Sequence, residues 1–448
     1  MSLVKVTTDK DTHRAVESVA RESYGRLVAF LSARTRDVAG AEDALGDALI
    51  AALTTWPRDG IPKNPQAWLL TAARNRLMDH ARHQQVRMQS AHTLEIMAGE
   101  FHEPADLEVI PDERLKLLFV CAHPAIDADM HTPLMLQTVL GLDAVAIGRA
   151  FLVAPQTMGQ RLVRAKTKIR QAGIAFELPA TKELPQRLEA VLNAIYAAYG
   201  NSWDDAAGAD PRAKGLADEA LWLARVLRDQ IPDDPEVRGL LALMLHCEAR
   251  RPARRSADGR FIPLSEQDTR AWVAPLIEEA EKELIVAARL SRLGRFQLEA
   301  AIQSVHAERA RTGRTDWRAI TVLYDQLVQL LPTLGACVAR AAAHAEFKGA
   351  EAGLSLLDAI EPESIIAYQP YWAVRAHLLQ QLHRMQGGAG SYAFLRRVMR
   401  SWCSPARRSS VWRCFRRAAR CWSRQARFFL SIGTCVACRY LADTIPLQ

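Results

Sequence analysis

The sequence predicts an all-α protein. Ala, Leu and Arg dominate it, and stretches rich in Val, Ile and Thr are few, a balance that favours helix over strand. Apolar residues recur three and four apart along most of the chain, the period of helices packed on one face. Pro and Gly fall between these runs, where helices start and stop. At 448 residues with 49% hydrophobic content, the chain is long enough for two to four domains with real cores.

The first helix is predicted over 12–34, with Val16, Val19, Ala20, Tyr24, Leu27, Val28 and Leu31 on one side. A second runs from about Ala39 to Thr55 and is stopped by Trp56-Pro57 and Asp59-Gly60. After the loop GIPKNP, Pro65 opens a third helix that reaches about His83. Residues 86–110 keep no clean period and read as a linker, with Pro104 inside it and Pro111 just beyond. Helices resume near Asp112 and continue to Gly173, and FELPATKELP (176–185) is a second linker. From Pro185 to about Ile360 helix follows helix, hinged at Ile231–Pro235 and around Pro332. These pairs look like tetratricopeptide hairpins with an irregular period.

Charge is unevenly placed. The formal net charge is +8, but residues 387–448 hold twelve Arg and one Asp, or +11, which leaves −3 for the rest. Any nucleic-acid contact therefore has to come from local patches. No run of eighteen apolar residues occurs, and the N-terminus has no apolar signal region, so a cytoplasmic protein with no membrane span is expected. Cys121, Cys247 and Cys337 are scattered and read as buried thiols, and His123 as a core histidine. Cys435 and Cys438, with Cys421 nearby, form a lone CxxC, which is weak as a zinc site. The cluster Arg250, Arg251, Arg254 and Arg255 suits an acidic partner or DNA, with a solvated helix end and loop as the other reading.

Three segments carry chemistry. In 142–172 a short helix (about 144–151) meets a turn at Leu152-Val153-Ala154, and a longer helix begins at Pro155. Met158, Leu162, Ala165 and Ile169 share one of its faces. Gln156, Thr157 and Gln160 supply donors and acceptors for base edges, and Arg149, Arg161, Arg164, Lys166, Lys168 and Arg170 supply cations for phosphates. This is helix-turn-helix patterning. The segment 66–87 carries Arg74, Arg76, His80, Arg82, His83 and Arg87 against Asp79, after the loop Lys63-Asn64-Pro65. A basic helix behind such a loop suits distorted or single-stranded DNA. In 37–50, Ala41, Ala44, Leu45, Ala48 and Leu49 face inward while Glu42, Asp43 and Asp47 face out. For each segment the pattern alone leaves a solvated structural helix as the other reading.

Together the segments resemble the extracytoplasmic-function sigma factors. AEDALGDALIAALTTW resembles region 2.2, the helix that docks on the polymerase clamp. NPQAWLLTAARNRLMDHAR resembles regions 2.3 and 2.4, which melt and read the −10 element. DERLKLLFVCAHPAI, with GLDAVAIGRAFLVAPQTMGQRLVRAKTKIRQAGI, resembles region 4, which reads the −35 element. These motifs cover about residues 12–175. ALMLHCEARRPARRSADGRF, the stretch around Gln267, Asp268 and Trp272, and TDWRAITVLYDQL resemble the tetratricopeptide-like extension of one subgroup, to about Met385.

The resemblance implies region 2 over 12–87, a linker over 88–111, region 4 over 112–175 and an extension over 185–385. It implies core-polymerase docking through Glu42, Asp43, Leu45 and Asp47. Contact with the −10 element would fall to Lys63, Asn64, Trp68, Arg74, Asn75, Arg76, His80 and Arg82. Contact with the −35 element would fall to Gln156, Thr157, Gln160, Arg161, Arg164, Lys166 and Lys168. RNA polymerase core and promoter DNA are the implied partners, with regulation through the extension. No cofactor, metal or catalytic residue is implied, and the chain is not an enzyme. A conventional helix-turn-helix regulator and a helical-repeat scaffold are the competing classes. Gly46, Gly148 and Gly159 depart from the pattern, each costing ~1 kcal/mol against Ala in a helix. The tail 387–448 departs entirely. Its Arg, Cys, Trp and Ser resemble a GC-rich gene read out of frame, against the alternative of a DNA-binding basic tail.

Overall fold

A computed structural model of the chain describes residues 9–88, 112–151, 153–180, 182–203, 211–258, 262–361, 365 and 368–385. Most of the 88–111 linker and the whole 387–448 tail lie outside them. Among the described residues the protein is all-α, as expected, with no strand. Two compact units part within one helix, between Leu223 and Ala224.

The first unit opens with α1 (Asp9–Thr35), α2 (Val38–Asp59) and α3 (Pro65–Met88). Asp37 caps α2 by accepting from the Gly40 N–H at 3.1 Å. Ala41, Ala44, Ala48 and Ala52 are buried along α2, and their small side chains let α1 and α3 approach closely. Leu69, Leu70, Ala73 and Leu77 seat α3. The helix runs on through Pro57, which sequence reading takes as a stop. It ends at Gly60, whose φ of +85° no β-carbon-bearing residue adopts readily and whose N–H bonds the Trp56 carbonyl. Having no N–H, Pro57 leaves the Leu53 carbonyl without its usual intrahelical donor but does not end the helix.

Then come α4 (Arg114–Cys121), α5 (Ala128–Thr138), α6 (Ala144–Ala150) and α7 (Pro155–Gln171). The segment LLFV of α4 is buried throughout and packs against α1 and α5. Next are α8 (Leu184–Trp203) and α9 (Pro211–Gln230), of which α8 and the first part of α9 belong to this unit. Arg114 is buried between the carboxylates of Asp112 and Glu219 and lies over the Trp222 ring, 4.3 Å from its centroid. Cys121 is buried as expected, beside the Thr138 hydroxyl at 3.5 Å. His123 is half-buried and accepts from the Ala125 N–H.

The second unit stacks α10 (Pro235–Ala249), α11 (Ala274–Arg289), α12 (Arg295–Ala307) and the short α13 (Arg309–Thr312), then α14 (Trp317–Leu330), α15 (Leu334–Lys348), α16 (Ala350–Asp358) and α17 (Gln369–Met385). Helix α10 packs on both α11 and α12, α12 packs on α14, and α14 to α17 each pack on the next, with separate apolar clusters over α12–α15 and α15–α17. One joint is built by a carboxylate. Glu236 of α10 accepts from the Phe296 and Gln297 N–H groups at 2.9 and 3.1 Å, capping α12, whose own N-cap residue, Gly294, has no side chain to do so. Gly239 keeps this joint tight: a β-carbon there would stand 2.6 Å from the Gln297 nitrogen. Among the described residues no helix is long and apolar enough to cross a membrane, and no group of His, Cys, Asp or Glu could hold a metal ion.

Candidate nucleic-acid interface

Helices α6 and α7 are built as a tight pair. Asp143 caps α6 through the Ala146 N–H at 2.7 Å. The turn closes when the Val153 N–H bonds the Gly148 carbonyl at 2.9 Å. A β-carbon at Gly148 would meet the Val153 oxygen at 2.7 Å, so glycine is what allows the turn to fold back onto α6. Pro155 occupies the first turn of α7. Gly173, at φ +59°, ends it with bonds from its own N–H to Arg170 and from Ile174 to Ile169. Met158, Leu162, Ala165 and Ile169 are buried, so the opposite face is turned outward. Gln156, Thr157, Gln160, Arg161, Arg164 and Lys168 are all exposed on it. The arrangement can offer amide and hydroxyl groups to base edges and guanidinium groups to phosphates.

Lys166 is the exception, being only 8% exposed. Its ammonium donates to Glu42 of α2 at 2.5 Å, 124 residues away in sequence. The expected phosphate contact is thus committed inside the unit. The sequence carried a signal for this: Lys166 lies four residues after Leu162 and three before Ile169, within the apolar stripe. Arg170 lies 3.3 Å from Asp37 at the same contact. Lys168 faces Asp127 at 3.7 Å, and both remain exposed, so that pair restrains little.

Glu42 is correspondingly withdrawn from any partner. Burial pushes its carboxyl above the usual range, Lys166 opposes that shift, and Asp43 adds to it. Leu45 is a core residue, 1% exposed, between Ala41 and Ala48 on the buried side of α2; a docking surface cannot use it in this conformation. Asp43 and Asp47 are exposed, with Ile50 beside them 63% exposed. Of the four residues expected on the docking face, two are therefore on the surface.

On α3, Lys63, Asn64, Asn75, Arg76 and His80 are exposed. Asn64 caps the helix, its side-chain oxygen accepting from the Ala67 N–H at 3.1 Å. Trp68 is half-buried and packs edge-on against the fully buried Trp56, ring centroids 5.5 Å apart. Arg74 is half-buried and engaged within the protein. The side chain of Arg82 lies outside the described residues. A bond of 2.6 Å from Gln66 to the Ser23 hydroxyl ties the start of α3 to α1.

Residues 19–87 match the family described as sigma-70 region 2, which spans α2, the loop before α3 and most of α1 and α3. The chain thus carries a sigma-70 region 2 domain, which supports a sigma-70 family factor and a sigma-factor-like role in transcription initiation. More particularly, it belongs to one family with the uncharacterized protein R00370 of Rhizobium meliloti (strain 1021), to which it is 36% identical over 380 residues, 83% of this chain and 88% of the relative. Residues 187–288 match a family of unknown function, DUF6596. No solved structure matches the chain.

Proposed function

We propose that this protein is an extracytoplasmic-function sigma factor of the subgroup with a tetratricopeptide-like extension, acting in the cytoplasm. It binds RNA polymerase core through the exposed face around Asp43 and Asp47. It opens and reads the −10 element with the 63–87 segment. It reads the −35 element with Gln156, Thr157, Gln160, Arg161 and Arg164, and residues 112–175 act as region 4. The observation that carries the reading is the outward face of α7. A helix-turn-helix with polar residues at the start of its second helix and arginines behind them stands on the same chain as a sigma-70 region 2. A conventional repressor would leave region 2 without a task.

The test is run-off transcription with core polymerase and the full chain, with Arg161→Ala and Arg164→Ala alongside. A residue on a phosphate should lower the salt slope of promoter binding by about one unit, and a residue on a base edge should cost ~1–3 kcal/mol and relax specificity at one position. Unchanged promoter affinity and salt dependence in both variants would remove α7 from the promoter. If the full chain fails to direct core polymerase to any promoter, the reading as a whole fails.

A further inference from the structure

The connection between α10 and α11 runs from residue 250 to 273, far longer than the ~2–8 residues two packed helices need. It folds back on the helices it joins. The Val273 N–H bonds the Ala249 carbonyl at 2.9 Å, and the Ile262 N–H bonds Arg254 at 2.7 Å. The fold-back places Trp272 and Gln267, both buried, against Arg309 at the start of α13.

Two arginines meet there with no counter-ion among the described residues. Arg250 is 7% exposed and donates to the His246 carbonyl at 3.2 Å, the Gln303 side chain at 2.5 Å and the Cys247 sulfur at 3.8 Å. Arg309 is half-buried, donates to the Gln267 carbonyl at 2.9 Å and lies over the Trp272 ring at 5.2 Å. All of these partners are neutral. The neighbouring carboxylates are committed elsewhere: Glu248 to Arg251, Asp268 to Arg270, Glu308 to Arg311, and Glu281 to the Ser304 hydroxyl. The two guanidinium groups sense each other, since burial and then the charge of Arg250 lower the pKa of Arg309. A guanidinium keeps its charge at any ordinary pH. Buried charge without a counter-ion is costly, and folded proteins pair it. Burial first, and then the same two charges, hold the His306 beside them neutral, so it adds no positive charge and leaves the arginines as the anchors.

We propose that Arg250 and Arg309 form a binding site for a small oxyanion, the phosphate or carboxylate group of a metabolite, entered from the exposed side of Arg309. Arg250 spends three donors on His246, Cys247 and Gln303, and Arg309, lying over the Trp272 ring, spends one on the Gln267 carbonyl. The remaining donors of each five-donor fork can close on planar or tetrahedral oxygens. The site lies in the second unit and does not depend on the reading of α7 as a promoter-binding helix.

The test uses the full chain, titrated with sodium phosphate and separately with sodium citrate, each against sodium chloride at equal ionic strength. Binding is read by calorimetry and by thermal denaturation. A saturable rise in melting temperature is expected for at least one of the two oxyanions, and which one responds distinguishes phosphate from carboxylate. Arg309→Gln should weaken that binding about tenfold to a hundredfold. Because Arg309 is half-exposed, this variant should fold even if Arg250→Gln does not. The proposal is overturned if neither anion exceeds chloride, or if the response survives Arg309→Gln. It is also overturned if only duplex DNA or an acidic protein, and no free oxyanion, occupies the site.

Discussion

At the scale of single residues, the contact between Lys166 and Glu42 decides more than any other. The two side chains are 10% and 11% exposed, so each ion has lost most of its water and depends on the other. Lys166→Met should leave Glu42 buried without a partner and destabilise the first unit by ~3–5 kcal/mol, whereas Lys166→Met combined with Glu42→Gln should recover much of that loss. Urea midpoints of the single and double variants measure the difference. Equal midpoints for the single variant and the parent would show that water reaches the pair.

His246 and His306 give a second prediction at this scale. Burial, reinforced by Arg250 and for His306 also by Arg309, brings both down to about 3. The folded-state values lie below the unfolded value of 6.5, so the unfolded chain binds more protons as pH falls. The stability of the neutral buried rings is complete above about pH 6.5 and is lost as pH falls from there toward 3, by up to ~1.4 kcal/mol per pH unit for each ring. Glu281 lies 3.4 Å from the His246 ring and accepts from the Ser304 hydroxyl. The urea midpoint followed from pH 7 to pH 5 should fall in the parent and fall less steeply in His306→Gln. Identical slopes would mean that His306 is already protonated or accessible to water in the folded state.

At the scale of elements, two glycines that look alike in sequence behave differently. Gly46 of α2 has nothing within 4 Å of the place a β-carbon would occupy, while Gly148 of α6 has the Val153 oxygen at 2.7 Å. Gly46→Ala should stabilise the protein by ~0.5–1 kcal/mol, the ordinary gain in a helix. Gly148→Ala should destabilise it by ~1–3 kcal/mol, because the turn has to open. Thermal denaturation separates the two signs, and a shift in the same direction for both would refute the tight-turn account of Gly148. Gly159, 3.9 Å from the Ala144 side chain, belongs with the tolerant group. Helical period revealed α6 and α7 from sequence, but it did not show which glycine the turn requires.

At the scale of the whole molecule, the end of the first unit matters for experiments. Arg114 is held by Glu219 and covered by Trp222. A chain cut after residue 180, at the linker that sequence reading marks, loses α8 and both of these contacts. It should therefore be less stable than a chain cut after Gln230, where α9 ends. Comparing the two truncations by thermal denaturation checks this, and equal stability would show that α8 and α9 add nothing to the first unit.

The first unit also ties the proposed −35 reader α7 to α2, on which the proposed −10 reader α3 packs, since Glu42 and Lys166 touch. Promoter elements 25 positions apart are separated by about 85 Å of duplex at ~3.4 Å per base pair. Both readers cannot reach their elements while α2 and α7 are joined. Residues 89–111 could span about 76–83 Å if fully extended. Cross-linking a Glu42→Cys, Lys166→Cys variant should therefore block promoter-directed transcription, and reduction should restore it. Full activity of the cross-linked protein would show that the proposed roles of α3 and α7 are not exercised together.

The sequence by itself determined the helices, the turn before Pro155 and most of the exposed face of α7, because each rests on local periods and local stop signals. Gln156, Thr157, Gln160, Arg161 and Arg164 could be read as outward-facing from the spacing of Met158, Leu162 and Ile169 alone. Tertiary structure alone decided which charges are available. Lys166 meets Glu42 from 124 residues away, Glu236 caps a helix 60 residues further along, and Arg250 and Arg309 come together with no carboxylate of the described residues between them. The period of a helix says which side of it a residue occupies, but the charge that faces that side belongs to another helix. It is known only once the two are packed.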